Sequence, residues 1–282
     1  MERVLERLDF TAHPEPTLDG LWALYSTWGH RVPFDNVRKL IHVRAGKAGA
    51  LPGGDAQEFF EAWLRYGTGG TCWAVAGALH ALLRSLGFDA MRGVATMLAA
   101  PNIPPNHGTV QVTLDGARYL VDGAILSGEP LLLNEAAQTK IDHPAWGVQC
   151  ALRDGLWHIA WRPLHKVDGF ECRIESFGAS AAEYGERYES TRGWSPFNYQ
   201  LSARLNHGDE VVGLGFGHAV TLHADGRVTQ LEIDHDERMR RLVETLGMSE
   251  EIVRQLPEDV PTPPPPGSQT AQTLDRGLRR DS

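Results

Sequence analysis

The chain has 282 residues, of which 42% are hydrophobic and 22% charged. That is the balance of a globular protein, one large domain or two small ones, able to bury a substantial core without disulfide staples. The formal net charge of -9 disfavours nucleic acid as a partner, because phosphate binding needs clustered Lys and Arg. Three cysteines, Cys72, Cys150 and Cys172, are odd in number and too sparse for a disulfide framework. The opening "MERVLERLDF" holds no long apolar run, so neither a signal peptide nor a membrane span is expected, and the cytoplasm is the expected location.

Residues 1–90 read as mostly helical. "ERVLERLDF" is a short amphipathic start. Leu18, Leu21, Trp22, Leu24, Tyr25 and Trp28 recur at helical spacing, with Thr17 as N-cap and Pro33 as the stop. "DAQEFFEAWLRYG" predicts a second helix, and "TCWAVAGALHALLRSLG" a third, capped by Thr71 and ended by Gly87. The basic cluster Arg38, Lys39, Arg44 and Lys47 reads as a solvated face. From about 92 to 230 the pattern changes to short alternating runs separated by turn signals, which predicts antiparallel strands and hairpins. "GLGFG", Gly213 to Gly217, lacks the spacing of a phosphate cradle and reads as a bulge or hairpin. "DERMRRLVETLGMSEEIVRQL" returns to helix, and residues 257–282 are Pro-rich, polar and expected to be disordered. Helices followed by a β-rich middle give an α+β protein rather than alternating βαβ units. No internal repeat is present.

Chemistry concentrates at three positions. Cys72 falls in the first turn of its helix, where unpaired N–H groups and the positive end of the helix dipole favour a thiolate. The glycines before it let a ligand approach the backbone, and the same N–H groups can hold a developing oxyanion. Asp115-Gly116 is a strong two-residue hairpin signal. That turn pairs Leu114 with Ala117, Val112 with Tyr119 and Thr109 with Asp122. His107 then lies diagonally from Asp122 on the same face, at Cα separations of about 7–8 Å. A carboxylate there can orient the imidazole and stabilise its charged form. A cysteine at a helix start together with a His–Asp pair is the logic of an activated thiol nucleophile. Cys150 and Cys172 lie in strand-like segments and read as core. His158 and His165 read as structural or exposed, and His235, between two aspartates, as surface rather than metal ligand. No metal is implied. Trp22, Trp28, Trp63 and Trp73 read mostly as packing, with Trp73 also placed to wall a pocket beside the thiol.

These residues resemble the arylamine N-acetyltransferase family. Its pattern is a helix running into I-P-F-E-N, then R-G-G-x-C at a helix start, then a His, then an Asp in D-V-G-F-G. Here stand "VPFDN" (Val32 to Asn36), "GGTC" (Gly69 to Cys72), His107 and "VDG" (Val121 to Gly123), with "STRGWSPF" (Ser190 to Phe197) similar to a later segment. The resemblance runs from about residue 15 to 200. It implies a helical bundle carrying the nucleophile (1–90), an antiparallel β-barrel carrying His and Asp (91–200) and an α/β lid (201–256), ahead of the 257–282 tail. It implies a Cys72, His107, Asp122 triad that transfers an acyl group from acetyl-CoA or another acyl-CoA, the co-substrate, to a small amine or hydrazine acceptor, with no permanently bound cofactor. It also implies acceptor contacts at Phe34, Trp73 and Ile125, and CoA contacts at Ser190, Thr191 and Ser195. Two departures bear on substrate choice: Thr68 stands where the family has Arg, and "DGAIL" replaces D-V-G-F-G. An amide synthase fed by a carrier-bound acyl chain, or a transglutaminase-like transferase or hydrolase, would use the same triad. A non-catalytic scaffold would not keep a thiol more reactive than Cys150 and Cys172.

Overall fold

The structure, a computed structural model, describes residues 1–100, 102–164, 169–265 and 268. The chain opens with helices α1 (Glu2–Arg7) and α2 (Leu18–Arg31), the short strand β1 (Phe34–Asp35), then α3 (Val37–Arg44), α4 (Ala56–Tyr66) and α5 (Cys72–Ser85). Thr17 caps α2 by accepting from the Gly20 N–H at 3.1 Å. Gly87, at φ 87°, stops α5, with the Phe88 N–H reaching back to the Leu83 carbonyl at 3.1 Å, the usual left-handed helix end. Thr71 occupies the N-cap position of α5, but its side chain makes no capping hydrogen bond. The first-turn N–H groups therefore have no side-chain cap.

The middle of the chain supplies β2 (Asp89–Met97), β3 (His107–Leu114), β4 (Ala117–Val121), β5 (Leu131–Leu132), β6 (Thr139–Ile141), β7 (Val148–Arg153), β8 (Leu156–Trp161) and β9 (Phe170–Phe177). They form an eight-stranded antiparallel sheet in the order β5-β4-β3-β2-β9-β8-β7-β6. Its two ends approach each other, and the Thr139 hydroxyl donates to the Leu132 carbonyl at 2.6 Å, so the sheet nearly closes into a barrel. A register shift between Val94 and Ala95 supplies the bend that closure needs. Leu120, Ile125, Cys150, Ile159, Cys172 and Ile174 fill one core on this sheet. Val110, Val112 and Val121 face the other way and pack with Val75, Leu79 and Leu82 of α5. β3 is thus buried on both faces.

Next come α6 (Ala181–Ser190), two 3₁₀ turns at 191–193 and 196–198, and strands β10 (Ser202–His207), β11 (Glu210–Gly215), β12 (His218–Leu222) and β13 (Val228–Glu232). Helices α7 (His235–Glu244) and α8 (Glu250–Val253) complete the elements. The second sheet runs β1-β10-β11-β12-β13, so its edge strand comes from the N-terminal helical region. "GLGFG" forms the β11–β12 hairpin turn, with Phe216 at φ 52° and Gly217 at φ 81°, as a two-residue turn of this hand requires.

Three expectations need correction. α6 lies inside the stretch read as strands. Trp22 is 48% exposed and packs into no core. Residues 257–265 are described, and they are fastened: Asp259 accepts from the Leu201 N–H at 2.9 Å and pairs with Arg238 at 3.2 Å, and the Val260 N–H donates to Tyr199 O at 3.0 Å. The rest of the Pro-rich segment, apart from Ser268, and His165 lie outside the described residues.

Candidate active site

The site is built where the helical region, the barrel and the second sheet meet. Its helical wall begins with "VPFDN". Asp35 is fully buried, and its carboxylate accepts from the Val37 N–H at 2.9 Å and the Gly69 N–H at 2.6 Å, while its own N–H donates to Gly70 O at 3.1 Å. One acid thus starts α3 and ties down the glycine turn ahead of Cys72. Burial raises its pKa to about 6, against the pull of those N–H groups and Arg38. The turn needs its glycines: a Cβ on Gly69 would overlap the Pro33 carbonyl, and one on Gly70 would sit 2.7 Å from the Ala74 methyl. Asn36 holds the second sheet to this junction. Its amide donates to Phe197 O and Gln200 O at 2.9 and 2.7 Å and accepts from the Ser202 N–H at 2.8 Å.

The barrel contributes the His–Asp pair. The hairpin turns at Asp115-Gly116, with φ 49° and 80°, and the register pairs Leu114 with Ala117 and Val112 with Tyr119, as the sequence predicts. His107 Nε2 donates to Asp122 Oδ2 at 2.6 Å, and both side chains are buried. The other carboxylate oxygen accepts from the Ala124 and Ile125 N–H groups, each at 2.9 Å. From α2, the Tyr25 hydroxyl donates to the Asp122 carbonyl at 2.8 Å and accepts from the Asp122 N–H at 3.1 Å. Burial works against charge on His107, but Asp122 and the neighbouring Cys72 sulfur outweigh it and raise its pKa. Asp122 is held below its ordinary value by His107, again against burial. With Nε2 committed to the carboxylate, Nδ1 is the ring nitrogen left for the thiol. The Cys72 thiol donates to Asn106 O at 3.6 Å, and the Asn106 side chain is clamped to both backbone groups of Met97, at 2.8 and 3.1 Å.

Cys72 and His107 open onto a cavity of about 300 Å³. Of the residues expected there, Phe34, Trp73, Thr191 and Ser195 line it. Ile125 does not: it packs in the barrel core and serves through its N–H to Asp122, while Ala124 takes the cavity position. Ser190 is also absent from the lining, its hydroxyl donating to Arg187 O at 2.7 Å. Thr191 spends its hydroxyl proton on Tyr188 O and Ser195 accepts from the Phe197 N–H. Trp73 meets Tyr184 edge-on at 4.8 Å. Thr68, at the family's Arg position, is fully buried.

Sequence reasoning missed two residues of this wall. Lys39, expected on a solvated face, is buried, lines the cavity and donates to Thr191 Oγ1 at 2.7 Å. Burial lowers its pKa to about 7, with the Cys72 charge opposing. Arg204 of β10 is buried and also lines the cavity. Helical periodicity could have turned Lys39 inward with Leu40 and Val43; only the β1–β10 pairing, which no sequence signal gives, brings Arg204 here. Cys150 and Cys172 are buried away from the cavity, and burial raises the pKa of both, to about 12 for Cys150. Among the described residues no group of three or more His, Cys, Asp or Glu side chains could hold a metal ion, and no helix is long and apolar enough to cross a membrane.

A family model described as N-acetyltransferase matches residues 17–249. The chain is 24% identical, over 247 residues, to an arylamine N-acetyltransferase of Mycolicibacterium smegmatis, covering 82% of this chain and 84% of that protein. Its fold is similar to a crystal structure of a Mycobacterium smegmatis arylamine N-acetyltransferase, with a TM-score of 0.75 at 18% identity over 92% of this chain and 98% of the other. The Salmonella typhimurium enzyme gives 0.75 at 17% identity over 90% and 96%. The Mycobacterium marinum enzyme in complex with CoA gives 0.74 at 19% identity over 90% and 93%. The matched family model spans the cysteine turn, the His–Asp hairpin and the junction that joins them, and the chain belongs to the arylamine N-acetyltransferase family of acyltransferases.

Proposed function

We propose that the protein transfers an acyl group from an acyl-CoA to a small amine or hydrazine through a thioester on Cys72. The observation that carries this reading is the buried 2.6 Å His107–Asp122 pair beside a thiol at an uncapped helix start, opening on one cavity. The CoA complex of the Mycobacterium marinum enzyme supports CoA as the donor's carrier.

In the first half-reaction His107 takes the Cys72 proton and the sulfur attacks the thioester carbonyl carbon. The new C–S bond forms as the carbonyl oxygen takes the negative charge, facing the first-turn N–H groups of α5. The tetrahedral species collapses, the bond to CoA sulfur breaks, and His107 gives that sulfur its proton. In the second half-reaction the amine attacks the enzyme thioester and His107 takes its proton. A C–N bond forms and Cys72 leaves as thiolate. Asp122 keeps the imidazole in the right tautomer throughout.

Initial rates with acetyl-CoA and an arylamine, each varied against the other, test this. Parallel reciprocal plots are expected, with a loss on the order of a thousand-fold or more in Cys72→Ala. Intersecting plots, or a Cys72→Ala protein that keeps its rate, would contradict it.

A further inference from the structure

The cavity carries a charge pattern that the acyl-transfer chemistry does not explain. No acidic side chain is among its described lining residues, yet Lys39 and Arg204 both are, in a chain whose net charge is -9. Lys39 has a partner in Thr191. Arg204 has no anion among the described residues: it is 4% exposed, its Nε and Nη1 have no hydrogen-bond partner, and no described carboxylate pairs with it. Arg238, the other arginine buried to this degree among the described residues, is paired with Asp259 at 3.2 Å. A buried guanidinium without an anion is strongly destabilising, and its planar fork matches a carboxylate.

Its placement is fixed. Arg204 stands opposite Phe34 in the β1–β10 register, and its guanidinium lies over the Trp161 ring at 5.4 Å. Arg204 lines the same cavity as Cys72 and His107, and both Asp122 oxygens are already engaged by His107, Ala124 and Ile125. The head group thus shares the cavity of the thiol, whereas the pantetheine arm keeps the phosphates of CoA far from the thioester carbon.

We propose that Arg204 holds a carboxylate carried by the molecule in this cavity, making the protein selective for a carboxylated acyl chain or a carboxylated acceptor. This rests on the acyl-transfer reading, and the test separates the two. In the donor arm, single-turnover acylation by succinyl-CoA is compared with that by butyryl-CoA, read by intact mass. In the acceptor arm, kcat/KM for 4-aminobenzoate is compared with that for 4-aminobenzamide at saturating acetyl-CoA. Binding is read apart from catalysis by the melting-temperature shift that 4-aminobenzoate and 4-aminobenzamide, or succinyl-CoA and butyryl-CoA, give the Cys72→Ala protein.

A preference for the carboxylated member on the order of ten- to a hundred-fold is expected in one arm, and the arm identifies the source. In Arg204→Met that ratio should fall to near one, and Arg204→Lys should restore part of it. If the variants fold poorly, absence of a preference in the wild type still overturns the proposal. No preference in either arm, a preference that survives Arg204→Met, or an Arg204 effect equal for every CoA ester would overturn the proposal. The last result would assign Arg204 to a CoA phosphate. Failure of acetyl-, butyryl- and succinyl-CoA alike to acylate Cys72, with carboxylate binding intact, would sink the transfer reading and leave this one standing.

Discussion

At Asp122 one side chain gathers His107 and two backbone N–H groups while Tyr25 fixes its backbone. Removing its charge leaves a buried imidazole without a counter-ion, so Asp122→Asn should cost about 3 kcal/mol of stability at neutral pH, read by denaturant unfolding. The pH dependence has a definite sign. The folded pKa of His107 is raised from 6.5, so its contribution is whole below that value and is lost as pH rises through the folded one. The folded pKa of Asp122 is lowered from 3.8, so its contribution is whole above that value and is lost as pH falls through the folded one. The stability gap between wild type and His107→Ala should therefore be widest between 3.8 and 6.5. Likewise, the alkaline limb of Cys72 acylation should lie above the ordinary imidazole range, and Asp122→Asn should move it down. A limb at the same pH in both proteins would refute the pairing. This dyad was legible because a two-residue turn and strict alternation fix which side chains meet. Lys39 and Arg204 were not, because nothing local distinguishes a cation that faces a cavity from one that faces water.

Among the elements, α5 carries the most structure and was the easiest to read, since its apolar stripe, its glycine turn and its stop all agree. Leu79 is fully buried at its centre, and Leu79→Ala should cost about 2–5 kcal/mol, measured as a shift in denaturation midpoint. α6 was missed because "AAEYGERYES" is polar, holds a mid-helix glycine and buries only Tyr184 and Tyr188. Its one local signal is the Ser180 cap, which accepts from the Glu183 N–H at 3.1 Å. β1 was missed because two residues make no pattern, and its pairing with β10 depends on chain far away. Asn36 is the hinge pin of that junction. Asn36→Ala should leave the α5 turn intact but raise hydrogen exchange at Ser202, whose N–H loses its acceptor. Unchanged protection there would show that the junction is held by packing alone.

For the whole molecule, the helical region brings the thiol, the barrel brings the imidazole and its carboxylate, and the second sheet closes the cavity. The described part of the Pro-rich segment, residues 257–265, is part of that closure. Thr262, Pro263 and Pro265 line the cavity, and Asp259 fastens the segment to Arg238 and Leu201. Truncation after Pro261, which keeps Asp259 on Arg238 and Leu201, should leave the cores in place, raise the KM for the acceptor and speed alkylation of Cys72 by bulky reagents. Composition gave the tail its disordered reading, because proline excludes helix and sheet without excluding an extended wall. The most direct test is intact-mass spectrometry after mixing the protein with acetyl-CoA, with Cys72→Ala alongside. One acetyl group on the wild type and none on the variant, with Cys150 and Cys172 unmodified, is the expected result. Acetyl transfer to an amine with no adduct trapped at any time, or an adduct that persists in Cys72→Ala, would contradict a Cys72 thioester.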